Sequence, residues 1–298
     1  MLLSVCVTAW TAVAGAQQAR ISYADVAALT APAPQHRIAY GPGPLQFGHL
    51  RLPTRPWPHP VVILIHGGCW LKQYDIAHLA ALEHAIATAG YAVWSLEYRR
   101  VGDDGGGWPG TFQDIARGAD HLRALAAAHH LDLDRVVASG HSAGGAFALW
   151  LAARNSIPRD SELWADTPIM IRGVLGLAPA PDLEALHSAD VCGKVINGLL
   201  GGSPVEQPAR YRATSLMQLA PLRVPQILVV GAHDRSWAPI GRAYHARALA
   251  VGDSGIRLIE APESGHFDMI APATASGQLV LTALAELFDV VARRGAAR

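Results

Sequence analysis

Short, continuous apolar runs recur along the middle of the chain, each followed by a longer stretch of helical length and composition. "VVILIHGG" (Val61 to Gly68) is apolar until its glycines, as a strand buried on both faces must be, and Ile76 to Ala89 then reads as a helix. "YAVWSLEY" (Tyr91 to Tyr98) precedes a helix predicted over Phe112 to His129, and "RVVASG" (Arg135 to Gly140) precedes another over Ala146 to Arg154. Later strands are expected in "IRGVLGLAP", "PQILVVGAHD" and "IRLIEAP", and later helices over Ile240 to Ala250 and Gln278 to Arg293. Strands alternating with helices imply right-handed crossovers and a mostly parallel, doubly wound α/β sheet. Ligands of such sheets sit at the carboxyl ends of the strands.

Three regions depart from this rhythm. Residues 31–60 are rich in Pro and Gly, with alternating segments near Arg37 to Tyr40 and Leu45 to Leu52 that suggest an edge hairpin. Gly102 to Gly110, "GDDGGGWPG", has loop composition, and the stretch near residues 179–222 reads as a small helical insertion over the sheet. The first residues, apolar from Leu2 to Ala14 and followed by Ala14-Gly15-Ala16, read as a signal peptide over residues 1–16, which predicts a periplasmic or secreted protein. Residues 17–298 are then one α/β domain.

Composition narrows the partners. With 51% hydrophobic residues the chain can bury a large core. A formal net charge of +0 without a dense Lys/Arg run excludes the electrostatic footprint of a nucleic-acid binder. The expected partner is a small molecule, with no stable membrane anchor; the oligomeric state is open. Beyond the signal only Cys69 and Cys192 remain, whose pairing the sequence does not decide, and no metal-ligand spacing of Cys or His is present.

The chemistry concentrates at Gly140-His141-Ser142-Ala143-Gly144, a G-x-S-x-G string between a predicted strand and a predicted helix. Turning from strand to helix at one residue forces the serine into a strained backbone region, and only small residues fit two positions to either side. Gly144 and Gly145 each disfavour a helix by about 1 kcal/mol relative to alanine, so another requirement selects them. The turn presents the Ser142 hydroxyl at the sheet edge.

A serine nucleophile needs a base, and the base an orienting acid. His266, in "ESGHFD", follows the last predicted strand and so emerges at the same edge, whereas His84, His121, His129, His130 and His245 fall on helices. Asp234, after the penultimate strand, is the expected acid, with Asp182 in reserve; Asp268 is too near His266 in sequence to orient it well. Acyl transfer also needs fixed N–H donors for a developing oxyanion. "HGGCW" (His66 to Trp70) supplies a glycine-rich turn directly after a strand, and the donors are expected to be Gly68, Cys69 and Ala143, with Gly67 as the alternative to one of them. His66 is expected to fix the loop by hydrogen bonding.

Taken together, "HGGCW", "LEYRR", "GHSAGG", "VVGAHD" and "SGHFD" resemble the esterase and lipase branch of the α/β-hydrolase superfamily, over roughly residues 38–275. "HGGCW" is most similar to the HGG-x-W form of kynurenine formamidases and of bacterial feruloyl- and acetyl-esterase-like enzymes. The resemblance implies a serine hydrolase that needs no cofactor, acting through Ser142, Asp234 and His266. The first expectation is therefore a carboxylic ester hydrolase for short or medium acyl or aromatic esters. An arylformamidase is the alternative, and a non-catalytic binding protein on the same scaffold a third. Trp70, Tyr98, Trp108 and Trp237 are candidates for lining an apolar pocket, though each is individually more at home in packing.

Overall fold

The computed structural model describes residues 20–296; the expected signal segment, residues 1–16, lies outside the described residues. Eight strands form one sheet: β1 (His36–Ala39), β2 (Phe47–Arg51), β3 (His59–Ile65), β4 (Ala92–Leu96), β5 (Leu131–His141), β6 (Gly173–Leu177), β7 (Gln226–Gly231) and β8 (Ile256–Ala261). Their order is β1-β2-β4-β3-β5-β6-β7-β8. β1 pairs antiparallel with β2 and β2 with β4, so the Pro/Gly-rich segment is the antiparallel edge hairpin, and every later pairing is parallel.

The apolar runs become central strands because both of their faces are covered. Along β3, Val61, Ile63 and Ile65 belong to one core while Val62 and Leu64 belong to the other, the two-residue period of a strand dividing its side chains between layers. All five are fully buried, each contributing about 2 kcal/mol relative to exposure. A short α1 (Tyr23–Ala27) precedes the sheet. One layer holds α2 (Ala80–Thr88) and α11 (Ala275–Ala296), through Leu82, Ile86, Val280 and Leu284. The other holds α3 (Gly110–Asp120), α4 (Leu122–Leu125), α5 (Ala143–Ala153) and α10 (Ala238–Ala250), through Ile115, Leu122, Phe147 and Tyr244.

The segment between β6 and β7 is helical as expected: α6 (Leu183–Ser188), α7 (Val191–Leu200), α8 (Pro208–Thr214) and α9 (Leu216–Leu219). Two predicted helices are interrupted. Ile76–Leu79 is a 3₁₀ turn leading into α2, and the helix expected over Phe112 to His129 breaks after Asp120. At the break the Asp120 carboxylate takes Nη1 and Nη2 of Arg154, each at 2.8 Å, and the Ile169 N–H at 2.7 Å, besides Arg123 at 3.4 Å. The glycine-rich 102–110 loop is likewise fastened. Asp103 accepts from Arg100 N and Nε, Gly107 N donates to Thr111 Oγ1, and Trp108 Nε1 donates to Glu162.

Candidate active site

Ser142 sits between the last residue of β5 and the first of α5 with φ 56° and ψ −118°, a backbone state that costs an L-residue about 1–3 kcal/mol. Neighbouring backbone holds it there. Its N–H donates to Leu177 O at 2.8 Å, and its carbonyl accepts from Ala180 N and Ala146 N at 3.2 Å. The flanking glycines are required by close approach. A Cβ on Gly140 would stand 2.2 Å from Gly144 O, and one on Gly144 would stand 2.1 Å from Ile65 O.

The expected acid and base meet at the carboxyl edge. Asp234, just beyond β7, accepts from Trp237 N on Oδ1 at 3.1 Å, leaving Oδ2 to take the Nδ1–H of His266 at 2.6 Å. This fixes the tautomer that leaves Nε2 free to accept a proton. The His266 loop is tied by Gly265 N, which donates to Asp268 Oδ2 at 2.9 Å, so Asp268 shapes the loop instead of touching the imidazole. Asp182, the reserve acid, caps α6 by accepting from Ala185 N at 3.0 Å. His233 faces Glu263 at 3.7 Å, not Asp234. Ser142 and His266 line one cavity; among the described residues the imidazole is hydrogen-bonded through Nδ1 to Asp234, and Ser142 Oγ is not hydrogen-bonded to its Nε2.

His141, adjacent to the serine, has a part that the sequence did not reveal. Its Nε2–H donates to the His266 carbonyl at 2.8 Å, and the two rings lie 4.6 Å apart. Full burial, followed by the charge of His266, holds its pKa well below the usual histidine range.

The HGG loop approaches from β3. A Cβ on Gly67 would stand 2.6 Å from His141 O and 3.1 Å from Ser142 Cβ, so only glycine lets the loop lie against the serine turn. Gly68, Cys69 and Trp70 then follow in positive φ, at 105°, 54° and 56°. Gly68 and Cys69 line the cavity with Ser142, and Ala143 begins α5. Among the described residues none of these three N–H groups has a protein acceptor. His66 contacts Gly67 O through Nδ1 at 2.8 Å and Glu97 through Nε2 at 3.0 Å, and its ring stacks on Tyr98, so it braces the loop. Glu97 also accepts from Ile76 N at 3.1 Å and Tyr98 N at 2.9 Å. Burial pushes its carboxyl up, but the charge and hydrogen bond of His66, with Arg100, outweigh that and hold it at about 2.

The cavity measures about 260 Å³, and its wall is largely aromatic: Tyr23, Tyr74, His78, Trp237, Phe267 and the rings of His141 and His266. Of the four aromatic residues suggested by sequence only Trp237 lines it, its ring stacked 5.2 Å from His266. Trp70 and Tyr98 are core residues. The left-handed turn at 68–70 carries Trp70 inward to Phe147, and Tyr98 donates its hydroxyl to His66 O. Trp108 is bound to Glu162 away from the cavity. The residues missed, Tyr23, Tyr74, His78 and Phe267, cluster around Tyr23 at ring distances of 5.0, 5.6 and 6.0 Å from Tyr74, His78 and Phe267. Burial first, then the charge of His66, pushes His78 down to about 4. Cys69, at the cavity wall, is disulfide-bonded to Cys192 on the insertion, which settles the pairing left open by the sequence.

Esterase LipC of Mycobacterium tuberculosis is 24% identical over 250 residues, covering 79% of this chain and 60% of that protein. This chain therefore spans less than two thirds of its curated relative. Among solved structures, esterase B from Lactobacillus rhamnosis superposes with a TM-score of 0.75 at 22% identity, over 89% of this chain and 90% of that one. A bifunctional GH43-CE protein of Bacteroides eggerthii superposes with a TM-score of 0.69 at 19% identity, over 86% of this chain and 37% of that one. These likenesses show the fold. The BD-FAE family model matches residues 51–241, more than half of the sequence and every strand from β3 to β7. The chain belongs to the BD-FAE family, on an α/β-hydrolase fold.

Proposed function

We propose that this protein is a serine hydrolase of carboxylic esters with short, medium or aromatic acyl groups, working through an acyl-enzyme on Ser142. The observation that carries the reading is the pairing of His266 Nδ1 with Asp234 at 2.6 Å in the cavity that Ser142 also lines. Ser142 Oγ attacks the ester carbonyl while His266 Nε2 takes its proton and Asp234 holds the ring. The carbonyl oxygen becomes an anion, and the N–H groups of Gly68, Cys69 and Ala143 are the donors for it, each worth a few kcal/mol of barrier. Collapse expels the alcohol with the proton from His266, and a water activated by the same imidazole then frees the acid. No cofactor enters these steps. Relatives named as esterases support esters over formamides. The Cys69–Cys192 disulfide supports a periplasmic or secreted location, where such bonds persist.

The test is covalent labelling with a fluorophosphonate, followed by turnover of p-nitrophenyl acetate against N-formylkynurenine. An adduct at Ser142 and preference for the ester are expected. No adduct overturns the hydrolase reading in favour of a binding protein, and preference for the formamide overturns the ester assignment.

A further inference from the structure

The loop that offers Gly68 and Cys69 to the cavity holds a backbone conformation it would not keep alone. Three consecutive residues are left-handed, and Cys69 and Trp70 have a Cβ that crowds the following carbonyl in that region. Such a run persists only where its surroundings over-determine it. Upstream, His66 grips the Gly67 carbonyl. Downstream, Trp70 is buried and its carbonyl accepts from Val101 N at 2.8 Å, while Lys72 N donates to Val101 O at 3.2 Å. Cys69 itself, in the middle, is held by its bond to Cys192, 123 residues further on.

The far partner stands in left-handed backbone too, with φ of 50° at Asp190, 54° at Cys192 and 65° at Lys194. These residues kink α7, and the part of α7 beyond Lys194 is seated on Val101, the residue that pairs with the loop: a Cβ on Gly198 would stand 2.6 Å from Val101 Cγ1. The insertion and the loop are thus joined twice, by packing through Val101 and covalently through Cys69.

We propose that Cys192 is a positioning residue: acting through Cys69, it fixes the loop's N–H donors, so that opening the disulfide lowers turnover. The inference rests on the acyl-transfer reading of the site. A dithiol opens the bond by thiolate attack on one sulfur, release of the other cysteine as thiolate, and closure of the reagent to a cyclic disulfide. Two electrons and two protons pass to Cys69 and Cys192. The freed loop relaxes from its left-handed run and its donors lose alignment. That loss falls on the transition state, where the oxygen carries charge, far more than on the bound ester, so kcat drops while KM holds.

The experiment follows p-nitrophenyl acetate hydrolysis by the full chain during anaerobic titration with dithiothreitol, with thiols counted and the near-ultraviolet circular dichroism recorded in parallel. Appearance of two further thiols should lower kcat about tenfold or more, with KM changed less than about twofold and the dichroism retained. Reoxidation should restore kcat, and Cys192→Ser should match the reduced protein and ignore dithiothreitol. A fully reduced protein with kcat within about twofold of the oxidised one overturns the inference, as does a fall in kcat that occurs only with loss of the dichroism. Absence of Ser142-dependent turnover in the oxidised protein overturns the hydrolase reading as well, which separates the two failures.

Discussion

His141 Nε2 donates to the backbone carbonyl of His266 at 2.8 Å, so the residue before Ser142 secures the loop that carries His266. One neutral hydrogen bond contributes about 0.5–1.5 kcal/mol, which corresponds to a roughly twofold to tenfold fall in kcat if the loop loosens. His141→Leu is expected to show that fall with KM nearly unchanged, and His141→Gln, which retains a donor, to recover most of it. Equal activity in all three proteins would show that the contact does not position His266.

The Asp234–His266 pair predicts the usual dependence of a cooperating set. Ser142→Ala and His266→Ala should each lower kcat on the order of 10⁴-fold or more with the fold intact, and Asp234→Asn should approach that loss. Asp182→Ala is the contrasting case. Its side chain caps α6, so it should lower stability by about 1 kcal/mol and leave kcat alone. Steady-state kinetics with a thermal melt on each variant check the contrast.

Gly144→Ala sets two effects against each other. Alanine favours a helix by about 1 kcal/mol over glycine, but its Cβ would enter within 2.1 Å of the Ile65 carbonyl, which the adjacent strand cannot move aside. The clash wins, and a net destabilisation of about 3 kcal/mol is expected from urea unfolding. A stabilised variant would mean that α5 and β3 can separate without cost.

Acid should weaken the fold in two windows. His78 falls from 6.5 to about 4 in the folded protein, chiefly by burial, with His66, Asp75 and Glu97 facing it. The unfolded chain therefore binds a proton that the native state refuses, and stability declines as pH drops from about 6.5 towards 4, by about 3 kcal/mol for this group. Glu97 is depressed from 4.5 to about 2, so its contribution is whole above 4.5 and is lost below it. Urea midpoints between pH 7.5 and 4.5 should fall at constant slope, and His78→Phe should make that decline shallower, the part that stays belonging to other histidines held low by burial, His141 among them. An unchanged decline in His78→Phe would assign it to other groups.

What was legible in the sequence follows from the range of the interactions involved. The strands were readable because both faces of "VVILI" are buried, and Asp234 and His266 because each follows its strand to the same edge. The helix expected through His129 failed at Asp120, whose partners Arg154 and Ile169 lie far along the chain. The disulfide depended on a 123-residue separation that no local pattern encodes. Trp70 follows a strand and is a candidate for the pocket, but packing is the reading its residue type favours, and it is a core residue, buried against Phe147 beyond a left-handed turn. Tyr23 carries no signal at all: it lies in a short segment before the first strand and reaches the site by tertiary packing alone.

That packing makes Tyr23 a boundary of the cavity that Ser142 and His266 line. Ser22 caps α1 in reciprocal bonds with Asp25, Val26 is buried beneath, and Ile21 N donates to Asp268 at 3.3 Å, so the segment is anchored to the His266 loop. The Tyr23 ring then closes one wall against Tyr74, His78 and Phe267. Removing it in Tyr23→Ala lengthens a cavity of about 260 Å³ without disturbing Ser142 or His266. Each methylene newly sheltered is worth about 0.8 kcal/mol, so admitting two more should raise the kcat/KM ratio of hexanoyl to acetyl p-nitrophenyl esters about tenfold. Tyr23→Phe keeps the ring and should leave the ratio unchanged. If Tyr23→Ala leaves it unchanged too, the acyl chain runs along a different wall, and the aromatic cluster around Tyr23 serves the leaving alcohol or the fold instead.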